Sequence, residues 1–254
     1  MTIQYASDLH LEFPQNTAWL EKNPIQPKGD ILLLAGDTHN LGAKFARHPY
    51  FNILSEQYKL VYLIPGNHEF YGGFDAQICL QENYELEIRP NIFMLNNTVK
   101  TIGNVRLIFT TLWSKIQREI HAIVTGMNDF HLIRCKGTRL TVPNYNELFE
   151  QSWAFLKREI NTPFDGTTIV VTHHLPSELC NLEKFKGSTL NEAFCVNLTS
   201  EIEASQVDYW IYGHSHGNKS PFSISNTMML TNQLGYVHIG ENGSFEYDAL
   251  IEIG

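Results

Sequence analysis

Five short segments of the chain each contain two or more aspartate, asparagine or histidine residues. These segments are Asp8–His10, Gly36–Asn40, Gly66–Glu69, His173–His174 and Gly213–His216. Carboxylate and neutral imidazole groups are ligands for divalent manganese, iron and zinc, and an amide oxygen is a further hard ligand. In the Asp-x-His and His-x-His segments, alternate side chains of an extended backbone point the same way, so both can reach one site. The residue types and their spacing therefore predict a site for metal ions.

Each of these segments directly follows a short apolar run that is typical of a buried strand. The predicted strands are Ile3–Ser7, Ile31–Ala35, Leu60–Ile64, Thr168–Thr172 and Tyr209–Tyr212. Ligands of an α/β sheet usually bind at the carboxyl ends of its strands. Gly36, Gly66 and Gly213 are expected to let the backbone turn sharply after three of the strands. The polar residues are therefore expected to converge at one edge of the sheet structure.

The remaining patterns predict two sheets with helices outside them. Thr98–Ile102 and Val105–Thr110, joined by Gly103-Asn104, are typical of a β-hairpin, in which Arg106–Thr110 is the buried part. Short strands are also predicted at Phe222–Ile224, Met228–Thr231 and Tyr247–Ile253. Helices are predicted at Asp75–Glu87, Tyr145–Ile160 and Leu198–Ala204. Because strands alternate with helices early in the chain and later stand mostly alone, an α/β architecture is expected.

The segment 111–143 fits this plan poorly. It contains Trp113, His121, Asp129 and His131 together with several basic residues, and it is interpreted as an insertion near the site or a loop-rich connector. The chain shows no repeat, low-complexity tract or Gly/Ser-rich linker. With 254 residues, of which 43% are hydrophobic, a single domain covering residues 1–254 is expected.

The motifs DLH, GDTHN, GNHE, THH and GHSH, in that order between Asp8 and His216, resemble those of the calcineurin-like metallophosphoesterase superfamily. The resemblance implies a four-layer α/β/β/α sandwich with two central mixed sheets and two divalent metal ions. Manganese is favoured, with iron, zinc, nickel or magnesium as alternatives. By the resemblance, Asp37 would bridge both ions. The other ligands would be Asp8, His10 and His216 for the first ion, and Asn67, His173 and His214 for the second.

The resemblance also implies a reaction, in which a hydroxide that bridges the metals attacks the phosphorus of a phosphate mono- or diester. His68 would lie beside the substrate and protonate the departing oxygen. Asp37, Asn67 and His68 are therefore the expected catalytic residues, and a small phosphate ester is the expected substrate. The arginine that protein serine/threonine phosphatases carry after motifs two and three is absent, which argues against a phosphatase of that type.

Several assignments remain open at this point. His173 and His174 are adjacent, and only one can take the ligand position; His173 is chosen because it directly follows the strand. Asn40 stands where some relatives have aspartate, and it could contact phosphate or close the turn. Other residues near the ligands could support them or wall the pocket, namely His39, Glu69, His174, Phe70 and Tyr71.

The composition limits the other functions that need to be considered. A net charge of −9 disfavours binding to nucleic acid, so a nuclease has little support. The start of the chain lacks a signal-peptide pattern, no apolar run could span a bilayer, and the four cysteines are scattered, so a reduced cytoplasmic protein without a membrane partner is expected. The alternative is a catalytically idle protein-binding scaffold, which predicts eroded ligand positions, whereas every position is filled. The oligomeric state is not indicated.

Overall fold

Fourteen strands form two six-stranded sheets and one two-stranded hairpin in the computed structural model, which describes residues 1–254. In chain order the strands are β1 (Thr2–Ala6), β2 (Ile31–Leu34), β3 (Leu60–Leu63), β4 (Tyr84–Arg89), β5 (Ile92–Asn96), β6 (Thr98–Ile102), β7 (Val105–Thr110), β8 (Arg134–Cys135), β9 (Thr138–Arg139), β10 (Thr167–Thr172), β11 (Tyr209–Ile211), β12 (Phe222–Ile224), β13 (Thr227–Leu230) and β14 (Leu250–Glu252). The predicted hairpin of β6 and β7 is confirmed, with Ile102 opposite Val105.

Both large sheets follow the same plan, in which four parallel strands are flanked by an antiparallel strand at each edge. The first sheet has the order β14-β1-β2-β3-β5-β4 and the second has the order β12-β13-β11-β10-β7-β6. Every residue of β2 and of β7 is buried, as expected for strands covered on both faces. The carboxyl ends of the parallel strands within each sheet therefore lie on one edge, where they can share a site.

The two sheets pack face to face through an apolar core of 18 buried residues, to which both sheets contribute. Ile3 and Leu33 come from the first sheet, and Leu107 and Ile169 from the second. Their chain neighbours point to the opposite faces, because side chains alternate along a strand. The opposite faces are part of a second core of 51 buried residues, which also includes the buried sides of the helices.

Six α-helices lie outside the sheets: α1 (Pro14–Lys22), α2 (Tyr50–Gln57), α3 (Ile120–Gly126), α4 (Asp129–Leu132), α5 (Val142–Ile160) and α6 (Thr199–Ala204). The longest, α5, begins where the Thr141 side chain accepts a hydrogen bond from the Asn144 N–H, and it buries Leu148, Phe149 and Leu156. The predicted four-layer α/β/β/α sandwich with two mixed sheets is thereby confirmed. None of the helices combines the length and apolarity that crossing a membrane would need.

The helix predicted at Asp75–Glu87 is wrong. Residues Ala76–Leu80 form a short 3-10 helix, and the chain then turns through Asn83, whose φ of 56° is left-handed, into edge strand β4. In β4 the apolar residues Leu86 and Ile88 alternate with charged ones, which is the period of a strand rather than a helix. The turn contains neither glycine nor proline, so the sequence carried no strong sign that the helical pattern had ended.

The segment 111–143 contains α3, α4 and the small β8–β9 hairpin. Its aromatic residues Trp113 and Phe130 are buried in the larger core. Asp129, at the start of α4, is also fully buried and contacts the residues that follow β3. The segment therefore packs a carboxylate against the predicted site.

Candidate metal centre

The five predicted loops converge between the two sheets. Loops after β1, β2 and β3 come from the first sheet, and loops after β10 and β11 come from the second. The backbone N–H of His214 donates to both carboxylate oxygens of Asp8 at 3.1 Å, although 206 residues separate them. The backbone N–H of His68 donates to Oδ1 of Asp37 at 2.9 Å. These bonds hold the loops of both sheets in a fixed arrangement.

Five of the predicted ligands have left-handed backbone, with φ between 47° and 76°: Asp8, His10, Asp37, His214 and His216. This conformation is uncommon for residues other than glycine, and it persists only where the surrounding structure enforces it. Such conformations cluster at functional sites, because the fold is holding side chains in directions that a relaxed strand end would not give. The backbone therefore marks the same residues as the sequence motifs do.

Two glycines allow the close approach of these loops. Gly36 has a φ of 89°, and a Cβ atom there would lie 2.4 Å from Nδ1 of His173. A Cβ atom on Gly66 would lie 2.2 Å from Oδ1 of Asp37, although its φ is not in the left-handed region. The expected turn role thus applies to Gly36, whereas Gly66 is required because the Asp37 carboxylate occupies the space of a side chain.

The first donor group comprises Asp8, His10, Asp37 and His216, whose ligand atoms all lie within 4.8 Å of one another. The Nε2 atoms of His10 and His216 face each other at 2.8 Å. Their Nδ1 atoms donate hydrogen bonds to the carboxylates of Glu12 and Glu241, at 3.0 Å and 2.8 Å. Burial lowers the pKa of His10, with a contribution from His68, so the neutral imidazole is favoured. With Nδ1 engaged in this way, both rings direct Nε2 at the same point.

The second donor group comprises Asp37, His173 and His214, again with ligand atoms within 4.8 Å. Oδ1 of Asn67 lies 3.1 Å from Nε2 of His173, so the amide oxygen joins the group. Nδ1 of His173 donates to the carbonyl of Ala35 at 2.9 Å, which leaves Nε2 facing inward. Burial and the neighbouring imidazole of His174 lower the pKa of His214 well below its usual value.

His174 takes a different place from His173. Its Nε2 atom lies 3.2 Å from the hydroxyl of Tyr145, and its ring stacks on Trp113 with centroids 5.3 Å apart. It belongs to neither donor group, and it packs behind the ring of His214 at a centroid distance of 4.2 Å. Of the two adjacent histidines, His173 is the one that the fold directs into the cluster.

Asp37 lies between the two groups. Its Oδ2 atom is 3.7 Å from Nε2 of His10, and its Oδ1 atom is 3.4 Å from Nε2 of His173. Burial alone would raise the pKa of Asp37, but the nearby His173 and His68 hold it well below its usual range. The side chain is therefore a carboxylate with one oxygen directed at each group.

The chemistry of these residues fits divalent cations. Asp8 and Asp37 are buried, and neither lies in an ion pair with a lysine or arginine. Carboxylate oxygens, imidazole nitrogens and an amide oxygen converge as acceptors, and so many buried acceptors without a cation are costly. Manganese, iron, zinc and related divalent ions accept this set of ligands.

Several residues at the site were not predicted. Oε1 of Glu12 accepts hydrogen bonds from Nδ1 of both His10 and His68, at 3.0 Å and 2.9 Å. Oδ1 of Asp129 accepts from the Asn67 amide at 2.9 Å and from the Tyr71 hydroxyl at 2.5 Å. Glu12 stands two residues after His10, so the alternation that linked Asp8 and His10 could have identified it. Asp129 and Glu241 follow no motif, and only the fold brings them here.

Of the other residues expected to support the ligands, Glu69 lies at the site, whereas His39 and Asn40 lie away from the cleft. The Glu69 carboxylate contacts no histidine ring; it accepts backbone N–H bonds from Asp37, Thr38, His39 and Gly66 at 2.6 to 3.3 Å, and so joins two loops. Nδ1–H of His39 donates to the carbonyl of Asn40 at 2.8 Å, and the ring packs against His48 in a separate groove. Neither His39 nor Asn40 lines the cleft over the donor groups.

A cleft of about 240 Å³ opens over both donor groups. His68, Tyr71 and Tyr236 line it, and Nε2 of His68 lies 3.1 Å from the Tyr236 hydroxyl. Burial lowers the pKa of His68, but the carboxylates of Asp37 and Glu12 outweigh it and raise the pKa to about 9. Tyr71 therefore walls the pocket, whereas Phe70 is buried and stacks on Trp113.

Two mixed sheets whose strand ends present buried carboxylates and imidazoles define a metal-dependent hydrolase with an α/β sandwich fold. The chain belongs to the calcineurin-like phosphoesterase family, whose model matches residues 1–218. This match confirms the resemblance seen in the motifs. Metal-dependent hydrolysis of phosphoesters and the use of divalent metals are properties of that family.

Two relatives illustrate the range of similarity. An uncharacterised protein of Acanthamoeba polyphaga mimivirus is 31% identical over 99% of this chain and 96% of its own length. The crystal structure of a phosphopantetheinyl hydrolase from Mycobacterium tuberculosis has a TM-score of 0.70 and 15% sequence identity, and the match covers 98% of this chain and 95% of that chain. At that identity the likeness shows a shared fold.

Proposed function

We propose that this protein is a binuclear metal-dependent phosphoesterase that hydrolyses a small phosphate mono- or diester. The observation that carries the proposal is the position of Asp37, whose two carboxylate oxygens each face one donor group. A carboxylate placed in this way can bind two ions at once, and two ions about 3.5–4 Å apart are the arrangement that stabilises both oxygens of an in-line displacement.

The two ions would be held by the two donor groups. Asp8, His10 and His216 would bind the first and Asn67, His173 and His214 the second, with Asp37 shared. When bound, the ions would polarise the phosphoryl oxygens and lower the pKa of a water molecule that attacks phosphorus. Manganese is the favoured metal, and iron, zinc, nickel and magnesium are the alternatives that this set of ligands accepts.

His68 is proposed as the general acid. Its Nδ1–H donates to Glu12, which fixes the ring so that Nε2 faces the Tyr236 hydroxyl at the cleft. With a pKa raised to about 9, the imidazole carries a proton at neutral pH and can donate it to the departing oxygen. The NH2 group of Asn67 donates to Asp129 and Tyr71. Of Asn67 and His68, His68 is therefore the residue proposed to donate to the substrate.

The proposal is tested by removing metals with a chelator and restoring them one at a time. Mono- and diesters of phosphate are assayed with Mn²⁺, Fe²⁺, Zn²⁺, Ni²⁺ and Mg²⁺, and metal content is measured on the same samples. We expect hydrolysis with Mn²⁺, loss of activity after chelation and recovery on adding the ion back. A protein that binds two ions per chain but hydrolyses no ester would contradict the proposal and favour the protein-binding scaffold.

A further inference from the structure

An apolar recess opens from the side of the cleft. Its volume is about 120 Å³, and its walls come from the segment 181–194 and from Ser215. Phe185, Phe194 and Ser215 line both the recess and the cleft, so the two cavities adjoin. The ring of Phe194 also stacks on the His214 imidazole, with centroids 4.5 Å apart. The recess therefore begins beside the second donor group.

The recess and the cleft contain no lysine or arginine among the residues that line them. No charged side chain lines the recess, and the titratable groups of the adjoining cleft are Asp37, Glu241, His68, His214, His216 and the tyrosines Tyr71 and Tyr236. The Lys184 ammonium group lies over the Phe185 ring at 4.7 Å, but it lines a different groove. A second anionic group placed in the recess would therefore lose its hydration, and no cationic side chain in the recess wall would replace it.

We infer, on the basis of the proposed function, that the recess binds the organic part of the substrate and selects phosphoesters whose organic part is uncharged and apolar. Burial of an apolar group against Phe185, Leu190 and Phe194 is favourable, in proportion to the area removed from water. Esters that carry a further carboxylate or phosphate are disfavoured, because the two proposed ions neutralise only the phosphoryl group that reacts.

The test compares two esters with different groups at the far end of the ring, the methyl group of 4-methylphenyl phosphate and the carboxylate of 4-carboxyphenyl phosphate. Both are assayed as monoesters and as methyl diesters with the Mn²⁺-loaded protein. We expect kcat/KM for the methyl compound to exceed that for the carboxylate by about tenfold or more, the size of effect that apolar pockets give. Phe185→Ala should lower kcat/KM for the methylphenyl ester about tenfold and for the carboxyphenyl ester by less, so that the ratio of the two values falls.

Phe74→Ala is the matched control, because Phe74 is exposed to a similar extent (44% against 37% for Phe185) and lines neither cavity. Equal kcat/KM values for the two esters, or equal effects of the two phenylalanine variants, would overturn the inference while the proposed function stands. If neither ester is hydrolysed, the proposed function fails, and the recess is tested by calorimetric binding of the corresponding phosphonates. If the methylphenyl phosphonate binds more tightly than the carboxyphenyl phosphonate, and Phe185→Ala removes this difference, the inference is supported. Equal binding of the two phosphonates overturns it.

Discussion

The two donor groups of the metal centre share Asp37 but differ in what lies behind their imidazoles. In the first group, carboxylates accept the Nδ1–H bonds, with Glu12 behind His10 and Glu241 behind His216. In the second group, backbone carbonyls of Ala35 and Ala193 lie behind His173 and His214, at 2.9 Å and 3.4 Å. The second group has a carboxylate only behind its amide ligand, where Asp129 accepts from Asn67.

This difference predicts that the two donor groups bind their proposed ions with unequal affinities. A carboxylate behind an imidazole raises the basicity of that ligand and fixes its tautomer, and mutating such a partner typically costs 10–100-fold in metal affinity or activity. Burial would raise the pKa of Glu12, yet hydrogen bonds from His10 and His68 lower it to about 2, so it stays ionised. We therefore expect the first group to hold its ion more tightly than the second.

The largest effect is expected from Asp37→Asn, which removes the charge that the two groups share. Binding of both ions should weaken together, and kcat/KM should fall by about three orders of magnitude or more. Metal content and kcat/KM are measured on the same preparation, and circular dichroism checks that the fold is intact. Full activity with two ions still bound would refute the assignment of Asp37 as the shared ligand.

Glu241→Ala is expected to separate the two groups. It removes the carboxylate behind His216, so the affinity of the first group should fall about 10–100-fold while the second keeps its ion. Dialysis against a series of free Mn²⁺ concentrations, followed by metal analysis, gives the two affinities. Glu241→Gln keeps an acceptor for the His216 N–H without the charge, so it should lose less. Equal weakening of both ions would contradict the comparison.

Asp129→Ala is expected to weaken metal binding by the second donor group. Without the acceptor, the Asn67 amide is free to rotate its oxygen away from His173, and the affinity of the second group should fall about tenfold. The buried donors of Asn67 and Tyr71 also lose a partner, which should lower the free energy of unfolding by about 1–3 kcal/mol.

Asp129→Asn is the matched variant for this prediction, since its amide oxygen still accepts from Asn67, and it should restore most of the affinity. Denaturant unfolding and the Mn²⁺ titration are run on both variants. If Asp129→Ala unfolds more easily but binds both ions normally, Asp129 is a structural residue and does not orient the ligand.

The smallest effect is expected from Tyr236→Phe. The Tyr236 hydroxyl lies 3.1 Å from Nε2 of His68 and makes no other hydrogen bond, so its loss removes one neutral partner of the proposed acid. About a threefold loss of kcat, with both metal affinities unchanged, is the size expected for a single hydrogen bond. Loss of metal from this variant would show that the tyrosine supports the first donor group instead.

Much of the fold followed from short patterns. The strands that precede the five motifs were predicted within one or two residues, because a fully buried strand is a short apolar run bounded by turn residues. Helix α5 was predicted from its apolar face, although the true start at Val142 depends on the Thr141 cap. Helices α1 and α2 and strand β5 were not predicted. In α1, the buried polar residue Asn16 bonds to the carbonyls of Leu9 and Gly235, and so interrupts any apolar face.

The sequence by itself determined which residue types stand at the strand ends, since each motif lies within a few residues of its own strand. The tertiary structure decided which donor residues lie together, which of His173 and His174 points inward, and which carboxylates accept hydrogen bonds from them. His10 and His216 meet across 206 positions of chain, and Asn67 meets Asp129 across 62. Such contacts depend on how the sheets stack and how segment 111–143 packs against them. Short-range sequence patterns predict neither, because both are set by residues far apart in the chain.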